Sequence, residues 1–545
     1  MKIKKNVQKK GFIKEAKDFM SLIDTCIIYA FLVCMLGILP LFYENRYQFI
    51  GSIKYNVFAK TSRFFLVVEL ILIMIRICLY IYQHFKGESI DYLLDEIKKR
   101  SFLDMTVMVY GVCVIISFFL SKDKTFALNG ADGWNMGLYS QLVFVGIYFL
   151  ISWKKQWLNG ILELHLLSSG IVFLLGILHR FHIDPLNMYV NLSLEYKIEF
   201  ISTIGQATWY SSYMCTVFAI GVAIFYLCKD LKMRILTGIY TVLCFATFVT
   251  QNSDSAYIAI AGIYLLLGYF SLRDKEKWLR FLQLIIVMFG TFAGVGLLQR
   301  VFADRIIPLD SLSIFFSQSI FTWCVLVFSL VIYFLFKNME EEKMQRFIYI
   351  SRKIYVCVPI LVVIGIVGLI VFIYLNTSGY LLEKFNYQSS NMYLYFNNYW
   401  GNHRGFNWSI AMEAYKGFPF VNKLFGIGPD SFASYLYNVP EIGDKIRSYY
   451  PNLRLTNAHC EYLNSLICYG AIGLISWLTV LIGGIRYFYN KAKDNPFMIA
   501  FALCIMGYAC HNIFCYQQVC CTPFLFIALG IGESLTKSEN FNTIK

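Results

Sequence analysis

The chain has 545 residues, of which 58% are hydrophobic and only 15% are charged. Soluble domains carry about 25% charged residues, so this composition excludes an ordinary soluble globular protein. The formal net charge is +14 at pH 7. Because Lys and Arg concentrate in short segments between apolar runs, the charge indicates membrane topology and anionic lipid at the inner face, and it does not indicate nucleic acid binding.

Apolar runs close to the ~20 residues that cross a bilayer recur along the whole chain. They predict an all-α, polytopic integral membrane protein with about 14 transmembrane helices and a large, partly helical extracytoplasmic loop. The predicted spans are approximately 22–42, 64–83, 103–120, 137–152, 160–178, 207–228, 233–250, 254–270, 280–298, 312–336, 354–375, 461–485, 497–515 and 519–535. Two of these runs, 137–152 and 233–250, are short for a crossing.

The positive-inside rule predicts that both termini are cytoplasmic, because short loops such as "KDLKMR" and "SLRDKEKWLR" are rich in Lys and Arg. No small-residue cleavage site closes the first apolar run, so we expect a retained span and not a secretory signal. Five parts follow in order: a cytoplasmic basic segment (1–21), helices 1–11 (22–375), the large extracytoplasmic loop (376–460), helices 12–14 (461–535) and a cytoplasmic tail (536–545).

Three connections are long enough to have structure of their own. On the inner side, 84–101 is typical of a surface helix with a basic end, and 337–353 marks a boundary between two halves. The outer segment 376–460 is the longest, and it is rich in aromatic residues, whereas disordered segments are poor in them. We therefore predict a folded outer cap with a helix from Asn407 to Lys416 and a glycine turn in "LFGIGPDSF", where Pro429 can start another helix.

A histidine and a glutamate lie where the outer loop meets the twelfth predicted span, in "NAHCEYLNSL" (457–466). A neutral imidazole can take a proton from a hydroxyl group near pH 7, so His459 is a candidate general base that Glu461 could orient. The alternative is a helix start that Thr456 and Asn457 cap, with His459 in the membrane interface. A metal site formed by His459, Cys460 and Glu461 is less favoured, because adjacent positions on a helix point apart.

Six of the arginines predicted on the outer side are candidates for binding phosphate. They are Arg180, Arg300, Arg305, Arg404, Arg447 and Arg454. A guanidinium group pairs bidentately with phosphate oxygens and stays charged, so converging arginines would hold a lipid pyrophosphate. Arg404 is the strongest candidate, because it lies among aromatic residues in "NHRGFNW". For each of the others, a solvated loop charge is the simpler interpretation.

Two further patterns carry weaker signals. Asp254, at the outer end of a span in "TQNSDSAYIAI", is either a helix cap or a site residue. His179 and His182 have helical spacing, but a zinc site needs three or four ligands, and none is evident nearby. No phosphate-binding glycine loop, dinucleotide fingerprint or nucleophile elbow is present in the sequence, and we expect neither a cofactor nor a metal.

The order of these features resembles the O-antigen ligase and O-antigen polymerase family. "FGIGPDSF" (425–432) followed by "NAHCEYLNSLICYGAIGL" (457–474) is similar to its signature, although Cys460 stands where the family usually has asparagine. "RGFNWSIAME", with Arg404 and Trp408, resembles its arginine–tryptophan segment, and "CHNIFCYQQVCCTPFLFIALG" resembles its closing spans. Asp254 stands where an arginine is common, which shifts the expected pyrophosphate contacts toward Arg300 or Arg305.

This resemblance implies an inverting, metal-independent glycosyltransferase at the bacterial cytoplasmic membrane. The donor would be a polyprenyl-pyrophosphate-linked oligosaccharide at the outer face, and the other expected partners are a saccharide acceptor, membrane lipid and a chain-length regulator. His459, Arg404 and Glu461 would be catalytic. The expected substrate-binding residues are Asp254, Arg300, Arg305, Tyr399, Trp400, Trp408, Asn457 and Tyr462.

Three functions stay open at this point. A polymerase joins lipid-linked repeats to one another, whereas a ligase moves the glycan to a different acceptor. The abundance of Lys, Ile, Tyr and Asn is typical of an AT-rich genome and slightly favours a polymerase in a host without lipid A. A polysaccharide flippase is the non-enzymatic alternative. Transporters place ionisable groups near the midplane, whereas here the charges away from the span ends are few, Glu69, Arg76 and Glu163 among them.

Overall fold

The computed structural model describes residues 19–85, 100–153, 160–389, 391 and 393–537. The predicted surface helix of 84–101 lies almost wholly outside the described residues, as do the N-terminal basic segment and the C-terminal tail. Ten described helices are long and apolar enough to cross a membrane. The predicted class, an all-α multi-pass membrane protein, is therefore confirmed at that level.

Thirteen helices make up the first two thirds of the described chain. They are α1 (Phe19–Leu41), α2 (Ile50–Phe85), α3 (Phe102–Leu120), α4 (Lys124–Asn129), α5 (Leu138–Ser152), α6 (Ile161–Arg180), α7 (Leu194–Glu199), α8 (Ala207–Leu227), α9 (Leu231–Thr250), α10 (Ser255–Ser271), α11 (Lys275–Val301), α12 (Ser311–Gln318) and α13 (Ile320–Lys337). The described residues contain one antiparallel hairpin, in which β1 (Phe200–Ile201) pairs with β2 (Gly205–Gln206).

The remaining helices include those of the long predicted loop. They are α14 (Glu341–Tyr355), α15 (Val358–Thr377), α16 (Tyr380–Phe385), α17 (Trp400–Gly417), α18 (Phe420–Phe425), α19 (Phe432–Leu436), α20 (Pro440–Tyr449), α21 (Glu461–Lys491), α22 (Ile499–His511) and α23 (Thr522–Lys537).

The structure changes the bounds of several predicted spans. The run 64–83 belongs to the 36-residue helix α2. The run 233–250, short by sequence, belongs to the 20-residue helix α9, which is long enough to cross a bilayer. The run 312–336 is divided at Ser319 into α12 and α13. At the break Ser319 has an extended backbone, with φ −79° and ψ 160°. The hydroxyl of Thr322 donates to the carbonyl of Phe316 at 2.7 Å, so a side chain of α13 satisfies a backbone group that the interrupted helix leaves free.

Helix α21 is interrupted at Gly470, which has φ 71° and ψ −175°. The segment Phe425–Gly428 lies against this break, and the N–H groups of Ile427 and Gly428 donate to the carbonyls of Ile467 (3.3 Å) and Cys468 (3.1 Å). A side chain at Gly470 would meet the backbone of Leu424. Backbone groups freed inside a membrane need protein partners, so the glycine turn predicted in "FGIGPDSF" supplies the hydrogen bonds that a broken spanning helix lacks.

Several connecting segments meet on one face of the bundle. The carboxylate of Asp430 accepts N–H groups of the α4–α5 loop, Arg404 of α17 donates to the carbonyl of Phe514, and Tyr393 bonds Asp254 at the start of α10. These hydrogen bonds join segments that are far apart in the chain. The candidate site lies among them.

Candidate active site

His459 is held in an unusual backbone conformation just before α21. Its φ is 52°, and its N–H donates to Oδ1 of Asn457 at 2.9 Å. Cys460 is the N-cap residue of α21, and no side chain caps the helix, so Thr456 and Asn457 are not the helix caps that the alternative interpretation required. The imidazole is half-buried, and no described residue hydrogen-bonds either ring nitrogen. The ring is therefore held in place while its proton-accepting nitrogen is unused.

Arg404 lies early in α17, after three residues with positive φ: Gly401 (59°), Asn402 (58°) and His403 (67°). Its Nη1 donates to the carbonyl of Gly401 at 2.6 Å and its Nη2 to that of Phe514 at 2.8 Å. Its Nε is buried and has no hydrogen-bond partner among the described residues. Two backbone carbonyls thus fix the plane of the guanidinium, and other N–H groups stay available for an anion.

The two residues are close enough to interact electrostatically. Burial lowers the pKa of His459 to about 4, and the positive charge of Arg404 contributes to this decrease. The imidazole is neutral at pH 7 as a consequence, which is the form that accepts a proton. Arg404 and His459 are 55 residues apart (459 − 404) within the long predicted loop, and the structure brings them within electrostatic reach of each other.

Asp254 completes the charged part of the site. It is the N-cap residue of α10, but its side chain makes no cap hydrogen bond. Its Oδ2 accepts the Tyr393 hydroxyl at 2.9 Å, while its buried Oδ1 has no partner among the described residues. Burial, followed by the bond to Asp254, raises the pKa of Tyr393 to about 12. The carboxylate also interacts with the charge of Arg404, so the Asp254 side chain is directed to the candidate site and does not cap α10 by a hydrogen bond.

Aromatic rings form a wall beside Arg404. Trp408 stacks on Phe514 with ring centroids 5.9 Å apart, and Trp400 lies 5.3 Å from Trp408. The guanidinium carbon of Arg404 is 5.8 Å from the centroid of the Phe514 ring. Trp400 donates its indole N–H to the carbonyl of Tyr393 at 3.0 Å. Of the aromatic residues predicted to bind substrate, Trp400 and Trp408 therefore border the charged groups.

Glu461 does not orient His459 as the sequence suggested. Its carboxylate is buried on the opposite side, where Oε2 accepts the Tyr508 hydroxyl at 2.8 Å and an N–H of Asn512. Its Oε1 lies 3.4 Å from Nε2 of Gln517. The physical reason is that residues two apart in a chain entering a helix point in different directions. Glu461 links α21 to α22 and to the segment after it.

His511 and Asn512 support the site and were missed by sequence reasoning. Nε2 of His511 is hydrogen-bonded to the hydroxyls of Ser211 (2.8 Å) and Ser255 (2.9 Å). Its Nδ1 lies 3.3 Å from Oδ1 of Asn512, whose amide reaches Glu461. A signal was present, because a histidine and an asparagine end an apolar run in "ACHN", and such polar groups in a membrane segment are costly unless they are used.

The other predicted residues lie apart from the His459–Arg404 pair or have partners of their own. Arg300 donates to the carbonyl of Gln318 at 2.6 Å, and Arg305 is exposed in a 3-10 turn. Neither has a described contact with Arg404. Tyr462 donates to the carbonyl of Ala509 at 2.6 Å, and exposed Tyr399 lies 5.5 Å from the ring of His403.

Two further candidates from the sequence are Arg180, for binding an anion, and His179, for binding a metal ion. Arg180 is buried and donates to three backbone carbonyls, those of Thr250, Lys197 and Ile198. The described residues contain no group of three side chains that could hold a metal ion, at His179 or elsewhere.

A scan against protein-family models finds no match for this chain, and a search of curated proteins finds none either.

Proposed function

We propose that the protein is a polysaccharide polymerase-like glycosyltransferase that joins polyprenyl-pyrophosphate-linked oligosaccharide repeats. Two observations support the proposal: the resemblance of residues 404–474 to the O-antigen ligase and polymerase family, and the convergence of His459 with Arg404. The second carries more weight, because a neutral imidazole beside a fixed guanidinium is suited to a displacement in which a hydroxyl attacks and a phosphate leaves.

In this mechanism an acceptor sugar hydroxyl attacks the anomeric carbon of the donor. His459 takes the hydroxyl proton, a contribution generally worth 10²–10⁴-fold. The bond from the anomeric carbon to the pyrophosphate oxygen breaks, and Arg404 stabilises the negative charge that develops on the leaving lipid pyrophosphate. Attack opposite the leaving group inverts the anomeric centre. The arginine supplies the positive charge, so the reaction is metal-independent.

The remaining side chains have supporting roles in the proposal. Asn457 keeps His459 in its left-handed backbone conformation. Asp254 and Tyr393 limit the space beside Arg404, and Trp400 and Trp408 offer aromatic faces to the sugar of the donor. We propose fourteen membrane crossings with both termini in the cytoplasm of a bacterium, which puts the His459–Arg404 pair at the outer surface of the cytoplasmic membrane.

The charged side chains within the spans support the enzyme over a flippase. Arg76 pairs with Asp24 and with Glu69, the latter at 3.5 Å, between α1 and α2. Neither His459 nor Arg404 takes part in this cluster. His459 and the Nε of Arg404, which have no hydrogen-bond partner among the described residues, lie instead where the connecting segments meet, as expected for chemistry at a membrane surface.

A reconstitution assay tests the proposal. The purified full-length protein in detergent is incubated with a polyprenyl-pyrophosphate-linked repeat unit, and products are resolved on a gel. A ladder of longer glycans is expected, together with release of polyprenyl pyrophosphate. If glycan is transferred only after a lipid A core acceptor is added, the protein is a ligase and not a polymerase. Absence of any glycosyl transfer with either acceptor, from protein that is folded by its thermal unfolding curve, would overturn the glycosyltransferase.

A further inference from the structure

The loop between α4 and α5, "GADGWNMG" (130–137), is held rigidly by a distant residue. Oδ2 of buried Asp430 accepts the N–H groups of Ala131 (2.8 Å) and Met136 (3.1 Å). Gly130 has φ 85°, and a Cβ there would lie 2.5 Å from the same oxygen. One carboxylate thus closes both ends of the loop, and no side chain larger than hydrogen fits at Gly130.

The clamped loop places Trp134 against Tyr516, which contacts the proposed catalytic base. The Trp134 ring is half-buried and meets the rings of Trp209 (centroids 5.4 Å apart, 80°) and Tyr516 (4.9 Å, 84°) edge to face. Tyr516 in turn lies 5.2 Å from the His459 ring, at 87°, and its hydroxyl accepts the Trp209 indole N–H at 3.2 Å. Trp134 is therefore one ring further from His459 than Tyr516 is.

The exposed part of this loop has the groups that bind sugars. The indole N–H of Trp134 has no hydrogen-bond partner among the described residues, although the indole N–H of Trp209 has one. Asp132 is exposed, and open space surrounds Gly133, where an added Cβ would touch nothing within 4 Å. The apolar C–H face of a sugar ring can stack on an aromatic ring. The hydroxyl groups of the sugar can hydrogen-bond with an indole N–H and with a carboxylate.

We propose that Trp134 and Asp132 form a subsite for a sugar ring of the acceptor saccharide. The inference rests on the proposed function and adds a second binding region to it. The donor is attached to its pyrophosphate, so its first sugar lies by Arg404 and the wall of Trp400 and Trp408. Trp134 makes no described contact with that wall and reaches His459 through Tyr516. Because the base must face the attacking hydroxyl, the sugar that carries this hydroxyl lies on the Trp134 side.

A binding experiment tests the subsite without requiring catalysis. The probe is the lipid-free oligosaccharide that mild acid releases from the host's own polyprenyl-pyrophosphate-linked repeat, labelled with a fluorophore at its reducing end. Fluorescence polarisation measures its affinity for the full-length protein in detergent. Trp134→Ala should weaken binding about tenfold. Trp134→Phe, which keeps a ring, and Asp132→Asn should each weaken it less. The matched control is Trp323→Ala, at an exposed position of α13.

The outcomes separate the subsite from the enzyme. If the wild-type protein elongates glycan but Trp134→Ala and Asp132→Asn bind the probe as the wild type does, the subsite is refuted and the proposed function stands. If binding depends on Trp134 but no glycosyl transfer occurs, the subsite stands and the proposed function fails. Equal weakening by Trp323→Ala would mean that the loss is not specific to the loop, and would also refute the subsite.

Steady-state kinetics distinguish the acceptor from the donor. With the labelled oligosaccharide as acceptor, Trp134→Ala should raise the acceptor KM about tenfold and leave the donor KM within about twofold. A rise confined to the donor KM would overturn the assignment to the acceptor. Trp134→Phe keeps the measurement interpretable if the alanine variant unfolds.

Discussion

His459 and Glu461 are two residues apart, yet their surroundings differ in one decisive respect. Glu461 is buried, and its carboxylate oxygens accept hydrogen bonds from Tyr508, Asn512 and Gln517. His459 is half-buried, and neither of its ring nitrogens has a partner among the described residues. Burying a polar group without a partner costs free energy, so a saturated group stabilises the fold, whereas an unsaturated one at a cleft is available to a substrate.

The same contrast separates the arginines. Arg180 spends its N–H groups on three backbone carbonyls, while Arg404 uses two and keeps a buried Nε without a partner among the described residues. Unused hydrogen-bonding capacity, and not burial alone, therefore indicates which charged or titratable side chains are available for function here. Substitution of a group without a partner should mainly lower the rate of transfer, whereas substitution of a fully hydrogen-bonded group should mainly lower stability.

The largest effect should come from His459→Asn. Asparagine tolerates the left-handed backbone conformation at φ 52°, so the fold is kept while the base is lost. We expect glycosyl transfer to fall 10²–10⁴-fold with an unchanged unfolding temperature. His182→Asn is the matched control, because His182 is exposed and also has a positive φ, 56°. Wild-type rates in His459→Asn would remove His459 from the chemistry.

Arg404→Lys should lower the rate of transfer about 10²-fold, because an ammonium keeps the charge but loses the planar fork that two carbonyls hold in place. The matched control is Arg447→Lys, since Arg447 is exposed and pairs with Asp444 at 2.8 Å on the surface. Initial rates at saturating donor measure the effect. A lysine variant as active as the wild type would show that charge alone suffices and that the fixed geometry of Arg404 is irrelevant.

Glu461→Gln should act mainly on stability. The new amide would place a donor against the amide donors of Asn512 and Gln517, so we expect the free energy of unfolding to fall by about 1–3 kcal/mol. Glu413→Gln makes the same change at an exposed carboxylate that pairs with Lys445 at 2.7 Å, and it should cost less than about 1 kcal/mol. Denaturation in detergent measures both. A stable but inactive Glu461→Gln would move Glu461 into the catalytic group.

The smallest effect concerns the pH dependence of stability at Asp430. Burial raises the pKa of this carboxyl to about 7, although the N–H groups of Ala131 and Met136 favour its ionised form. An unfolded aspartate has a pKa of about 3.9, so between these values the folded state holds a proton that the unfolded state has lost. The contribution of Asp430 to stability is therefore greatest at low pH and decreases as pH rises toward about 7.

Asp430→Asn removes this titration. The unfolding temperature of the wild type should fall relative to that of the variant between pH 5 and pH 7, and the difference should be constant at higher pH. Asp132→Asn, at an exposed position in the clamped loop, is the control and should run parallel to the wild type. Parallel curves for Asp430→Asn would mean that the carboxyl ionises at its ordinary pH.

The sequence was informative about helices and less so about the contacts of single side chains. Apolar length predicted the membrane helices, whereas Arg404 and His459, which the motifs singled out, stay predicted site residues. The Glu461 carboxylate contacts Tyr508, Asn512 and Gln517 and does not orient His459, because closeness along the chain says little about where two side chains point at the start of a helix. Asp430 lies in the motif "FGIGPDSF", but its hydrogen-bond partners Ala131 and Met136 lie nearly three hundred residues earlier in the chain.

Residue order alone sets the approximate position of the apolar helices, because each must satisfy its backbone hydrogen bonds within its own segment. Which polar side chains stabilise the fold and which stay available to a substrate depends instead on contacts between segments far apart in the chain. The carbonyl of Phe514 orients Arg404, and the amide of Asn512 hydrogen-bonds to Glu461. Asp430 holds the loop that places Trp134 against Tyr516. A polar side chain is committed to the fold or left free for a substrate according to which distant donor or acceptor reaches it, and only packing of the whole bundle determines that.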